Sequence, residues 1–147
     1  MTEVIRTTGR GEKIKTGRLA TRGLAAGVLA IAANLLVYAL LPAISGISLD
    51  IPVMGPGSPV EPLPLSMVIF ATALPSAGAT LFLAILTRYS EHPVTIFQIV
   101  AGVLLLLSLG APFSLPVSLG VRMTLASMHV LTAAIIVALL TAKRGTD

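Results

Sequence analysis

The sequence predicts an all-α protein, a four-helix transmembrane bundle with both termini cytoplasmic and a Pro/Gly-rich outer loop. Three observations predict it. Four apolar runs, Gly23–Leu41, Leu65–Leu86, Thr95–Leu109 and Val121–Ala142, fill most of the 147 residues, and Arg122 is the only charged residue inside them. Charged residues make up 11% of the chain and the mean hydropathy is +0.96, whereas a soluble domain carries about 25% charged residues. The basic residues are also distributed on one side. Arg6, Arg10, Lys13, Lys15, Arg18 and Arg22 precede the first run, Arg88 lies between the second and third, and Lys143 and Arg144 follow the fourth. The connection Pro42–Pro64 has no Lys or Arg and carries Asp50 and Glu61. The positive-inside rule then places both termini and the Arg88–Pro93 turn in the cytoplasm.

The elements follow in chain order. Residues 1–18 read as a flexible basic arm, and 19–144 as one membrane domain with spans at about 20–42, 65–87, 94–110 and 120–142. A span needs roughly 20 residues, so the third is the shortest. The run Gly23–Leu41 exceeds the h-region of a signal peptide, about 7–15 residues, and reads as a retained span. It opens with Gly23-Leu-Ala-Ala-Gly27 and continues with Ala30 and Ala33. Small residues at this spacing let helices approach closely, either within the bundle or between two copies.

The outer connection Pro42–Pro64 contains Gly55-Pro-Gly-Ser-Pro59, which breaks helices. Ile47, Leu49, Ile51 and Val53 alternate with more polar residues, as do Phe113, Leu115 and Val117 in the second outer connection. These segments are candidates for a small cap, either as a strand pair between them or as irregular loop on the interface. In the second span Pro75 predicts a kink, and Thr72, Ser76 and Thr80 share one face.

Composition removes several functions. Without cysteine there are no disulfides, thiolate metal sites or thiol–disulfide exchange, so a quinone-coupled thiol oxidoreductase is excluded. A pI of about 10.1 does not call for nucleic acid, because the basic residues act as topology determinants and anionic-lipid contacts. The run Gly102–Leu109 offers no polar face, which argues against a soluble bundle.

The polar residues inside the spans are few. Arg122, Ala126, His129 and Ala133 form one stripe of the fourth span, and the cost of an ionisable group in hydrocarbon predicts that it faces inward. At 1.5 Å per residue, His129 lies roughly 12 Å from the outer end, Asn34 roughly 10 Å, and Thr72 and Ser76 roughly 10–16 Å. This matching depth predicts a polar cluster of Asn34, Thr72, Ser76 and His129 in the outer half, with Tyr38 closing it and Arg122 paired to Asp50 or Glu61. The bland alternative is interhelical glue. His92 lies roughly 20 Å or more from His129 by the same rise, so bis-His ligation is not expected, nor any metal or cofactor.

Several of these residues also carry a likeness. Ala33-Asn34 in the first span, Pro62-Leu-Pro-Leu65, and Arg122-Met-Thr-Leu-Ala-Ser-Met-His-Val-Leu-Thr-Ala-Ala134 resemble a family of small bacterial four-span membrane proteins catalogued only as a domain of unknown function. The resemblance covers about residues 20–142 and rests on Asn34, Arg122 and the Met128-His129 pair. It implies a fold and a compartment, the bacterial cytoplasmic membrane, and no activity.

The functional expectation is a non-enzymatic multi-pass protein that acts by association, as an accessory or stress-related membrane factor. Its partners would be the lipid bilayer and a homo-oligomer or larger membrane complex, with no nucleic acid. The second expectation is binding or transport of a small molecule or ion through a polar outer-half cavity around Asn34 and His129. A third, an enzyme, would have only Ser76 with His129, and no carboxylate in a span to orient the imidazole. A closed, dry bundle favours association; a cavity at His129 favours binding.

Overall fold

Each apolar run forms one helix, and each helix is long and apolar enough to cross a membrane. The computed structural model describes residues 16–142 apart from Met54 and Pro56. The expected basic arm therefore lies outside the described residues as far as Lys15, as do Lys143 and Arg144. The described part of that arm, 16–18, is already helical.

Helix α1 covers Thr16–Ser45 and runs past its expected end at residue 42. Pro42 lacks only the amide that would bond the Tyr38 carbonyl, and its fixed φ is helical. The helix stops at Gly46, whose φ of 68° reverses the chain while its amide bonds the Pro42 carbonyl at 2.9 Å. Helix α2 covers Leu65–Tyr89 and continues through Pro75. Helix α3 covers Pro93–Ser114 with Pro93 in its first turn, four residues beyond the expected end. There the Ser114 hydroxyl bonds the carbonyls of Gly110 and Ala111 at 2.8 and 2.9 Å. Helix α4 covers Leu119–Thr141, and the Ser118 side chain accepts from the Val121 amide at its start.

The outer connection does contain a strand pair, but both strands come from it. β1 (Asp50–Pro52) and β2 (Val60–Pro62) are antiparallel, with Ile51 opposite Glu61. The expected partner, Phe113–Val117, instead completes α3 and turns into α4. The prolines do not break the ladder. The Leu63 amide bonds the Leu49 carbonyl at 2.8 Å, so bonded pairs alternate through Ile51–Glu61 and leave Pro52 and Pro62 at non-bonded positions.

The helices alternate in direction. α1 packs on α2 and α4, while α3 packs on α4 and more sparsely on α2. Two apolar cores result. One, near the chain termini, joins Leu19, Ala26, Leu83, Phe97, Ile136 and Leu140. The other, under the hairpin, joins Leu49, Ile51, Leu63, Val68 and Val121. Leu24, Leu36, Phe70, Leu74, Leu106 and Leu107 are exposed, as helices solvated by lipid require. At the terminal end, the Arg22 guanidinium donates to the Ala142 carbonyl at 3.1 Å, placing a cation at the C-terminus of α4.

Candidate functional site

The site is built on one face of α1. Leu19, Gly23, Ala26, Ala30 and Asn34 are its buried residues there, spaced by three or four so that they fall on one line. Four are small or slender enough to let α2 approach. A Cβ at Gly23 would overlap Thr80 Oγ1, and one at Gly27 would lie 3.4 Å from Ser76 Cβ. The GxxxG thus serves packing within the chain.

Asn34 ends this line and ties three helices. Its Nδ2 donates to Thr72 Oγ1 of α2 at 2.9 Å and to Thr132 Oγ1 of α4 at 2.8 Å. Asn34, Thr72 and Thr132 are all buried. Thr72 Oγ1 spends its own proton on the Val68 carbonyl at 2.8 Å, so toward Asn34 it can only accept. That fixes the amide orientation and leaves Asn34 Oδ1 buried without a hydrogen-bond partner. The Thr132 proton likewise has no acceptor among the described residues.

Beside this tie lies a cavity of about 1000 Å³ between α2, α3 and α4. Asn34, Thr72, Thr132 and His129 are the polar residues of its lining, with Ser108 from α3. The rest is apolar. Ile51, Val53 and Leu63 of the hairpin region close one end. Phe82 and Phe97, with ring centroids 6.3 Å apart, stand at the other. Along α2 the wall is Ala71, Pro75 and Gly78, all exposed. Pro75 has no amide to offer the Ala71 carbonyl. The sparse α2–α3 contact therefore makes the cavity a cleft that faces the bilayer sideways.

The expected cluster is rearranged. Asn34 and Thr72 meet as the depth argument required, but the third member is Thr132, not His129. His129 is half-buried and lines the cleft, while its Nδ1 bonds the Leu125 carbonyl of its own helix at 2.8 Å. A carbonyl only accepts, so Nδ1 carries the proton of this bond. Ser76 stands apart from the cleft. Its hydroxyl donates to the Thr72 carbonyl at 2.8 Å, and its Cβ faces Gly27. The Tyr38 hydroxyl donates to the Leu63 carbonyl at 2.9 Å, tying α1 to the end of the hairpin; Tyr38 is not among the residues that line the cleft.

Arg122 has no carboxylate partner among the described residues. Its Nε donates to the Val117 carbonyl at 3.0 Å, and Asp50 accepts instead from the Ser48 hydroxyl at 2.6 Å. Both side chains bond neighbours in sequence, which costs less chain ordering than a contact across the cap. The buried face of α4 is Val121, Thr124, Met128, Thr132, Ile136 and Leu140, with Ala126 also buried. It is turned from the expected stripe, because the ionisable residues sit at its margin. The i+4 repeat Thr124-Met128-Thr132-Ile136 was the available signal for Thr132. Among the described residues no group of His, Asp and Glu could hold a metal ion.

No curated protein and no solved structure matches the chain. Residues 14–146 match one family model, a span that begins before the expected limit at residue 20 and takes in part of the basic arm. The chain is a multi-pass membrane protein and belongs to the Family of unknown function (DUF6069).

Proposed function

We propose that the protein is a non-enzymatic, multi-pass protein of the bacterial cytoplasmic membrane that holds an apolar small molecule in the cleft between α2 and α3. One observation carries this reading: a cavity of about 1000 Å³ whose apolar wall is interrupted by a few convergent polar groups. Ligand clefts typically span about 300–1,000 Å³ and have this lining. Action by association, the first expectation, is favoured by a closed, dry bundle. The small-residue face of α1 is covered by α2 within the chain, and a cleft of this size beside α2 and α3 supports binding instead. The basic residues support cytoplasmic termini and a hairpin on the outer side.

A photoactivatable apolar probe in nanodiscs tests the binding. Saturable labelling of α2 and α3 is expected, and Ala133→Phe, which fills the cleft wall, should reduce it several-fold. Labelling that never saturates, or that ignores Ala133→Phe, would sink the reading. Alkaline phosphatase fused after Val60 should be active and fused after Glu91 inactive; the reverse would overturn the orientation.

A further inference from the structure

We infer that the cleft takes the tail of an anionic amphiphile, a long apolar chain with a phosphate or carboxylate head, and that Arg122 binds the head at the outer rim. The inference rests on the cleft reading above and adds the chemistry of the ligand.

Arg122 does not line the cleft; it stands just outward of it. Leu125 and His129 of α4 line the cleft. Arg122 precedes them by three and seven residues, so it shares their face of the helix. Along the axis it lies roughly 4.5 Å outward of Leu125. Its guanidinium is held through Nε by the Val117 carbonyl at 3.0 Å, two residues from Leu115, which lines the cleft from the α3 side. An arginine has five N–H donors. The four on Nη1 and Nη2 have no partner among the described residues. Arg122 is half-buried, yet neither nitrogen is a buried atom lacking a partner, so both are open to a ligand.

Length and charge then select the ligand. From Leu125 to Val137 the α4 lining extends roughly 18 Å at 1.5 Å per residue. That is close to one leaflet of a hydrocarbon core about 30 Å thick. A lipid tail whose head stays at the outer interface therefore ends near Phe82 and Phe97. No Lys, Arg, Asp or Glu lines the cleft, so a charged head is kept out of its interior, where an unpaired charge is expensive. At the rim Arg122 offers a cation that Asp50, bonded to Ser48, does not neutralise. A phosphate or carboxylate oxygen there accepts a hydrogen bond with both partners charged, about twice as strong as a neutral one. An ammonium head is repelled, and an alcohol brings no charge.

The test uses the full chain in maltoside micelles, which carry no phosphate, and photoactivatable hexadecyl phosphate as the probe. Unlabelled hexadecyl phosphate should displace it at a concentration at least about tenfold lower than hexadecanol or hexadecyltrimethylammonium, the scale of one hydrogen bond to a charged group. Arg122→Gln should abolish that preference, Arg122→Lys should keep part of it, and Arg88→Gln, at the other membrane face, should leave it unchanged. If the alcohol competes as well as the phosphate, or if Arg88→Gln removes the preference as fully as Arg122→Gln, the anionic-head inference falls and the cleft reading stands. If inorganic phosphate displaces the probe as well as hexadecyl phosphate does, the chain is not held and the inference falls. If no probe labels saturably, both fall. A second measurement on the unaltered protein decides the matter even if the Arg122 variants do not fold. A photoreactive group next to the head should label residues 111–125, and one at the chain end the level of Phe82 and Phe97; the reverse order would overturn the inference.

Discussion

α1 and α3 are equally apolar spans, yet they sit differently in the molecule. α1 buries a line of five residues against α2 and α4, four of them small or hydrogen-bonded: Gly23, Ala26, Ala30 and Asn34. α3 buries only Phe97 and Pro112, and its Leu104, Leu106 and Leu107 are exposed. In lipid, apolar character does not distinguish a neighbouring helix from an acyl chain. Close backbone approach and polar contacts do; α3 approaches α2 more sparsely than α1 does, and among the described residues no side-chain hydrogen bond joins them. The interlocked side of the bundle is α1, α2 and α4; the cleft opens where α3 meets α2.

Five substitutions would break or sharpen this contrast. The largest effect is expected at Gly23. A leucine there must displace Thr80 from the α1–α2 contact, and overpacking of this kind costs about 1–3 kcal/mol. Thermal unfolding in detergent should show a marked drop or loss of the folded fraction. Wild-type stability would mean that α1 and α2 are not held at that distance.

Asn34→Leu should have the next largest effect. It removes both hydrogen bonds that tie α1 to α2 and α4. Such bonds average about 0.6 kcal/mol each in membrane proteins, so a loss of about 1 kcal/mol is expected, partly offset because the unmatched Oδ1 also disappears. Thr132→Val should cost about half as much. His129→Leu breaks only a bond within α4 and should cost less than Asn34→Leu. The opposite order would make His129 the interhelical tie.

The smallest effect belongs to Gly102→Leu. A Cβ at Gly102 meets nothing within 4 Å, so stability should stay within about 0.5 kcal/mol of wild type. A drop like that of Gly23→Leu would show that α3 is packed as tightly as α1, and the contrast would be lost.

The site was only partly legible in advance. Asn34 and Thr72 were found from depth alone, since two helices crossing one membrane share a vertical scale. Thr132 carries no ionisable group, so the cost of charge in hydrocarbon singles out His129, three residues away, and not Thr132. In the fold His129 spends Nδ1 on its own backbone, an option that a count of depth does not weigh. The Arg122 pairing with Asp50 or Glu61 failed for a similar reason, because Val117 and Ser48 lie closer along the chain.

Four apolar helices and a Pro/Gly-rich connection are written directly in the amino-acid order. Those properties follow from the length of uncharged runs and from backbone chemistry that acts residue by residue. That order also carried the small-residue face of α1, because helical spacing is a local property. Which helix covers that face, the forming of the strand pair within one connection, and the burial of Asn34 between Thr72 and Thr132 emerge from the packing. Each of these depends on the rotation and distance of one helix relative to another. In a membrane those are set by packing and hydrogen bonds between segments distant in the chain, and apolar patterning alone does not encode them.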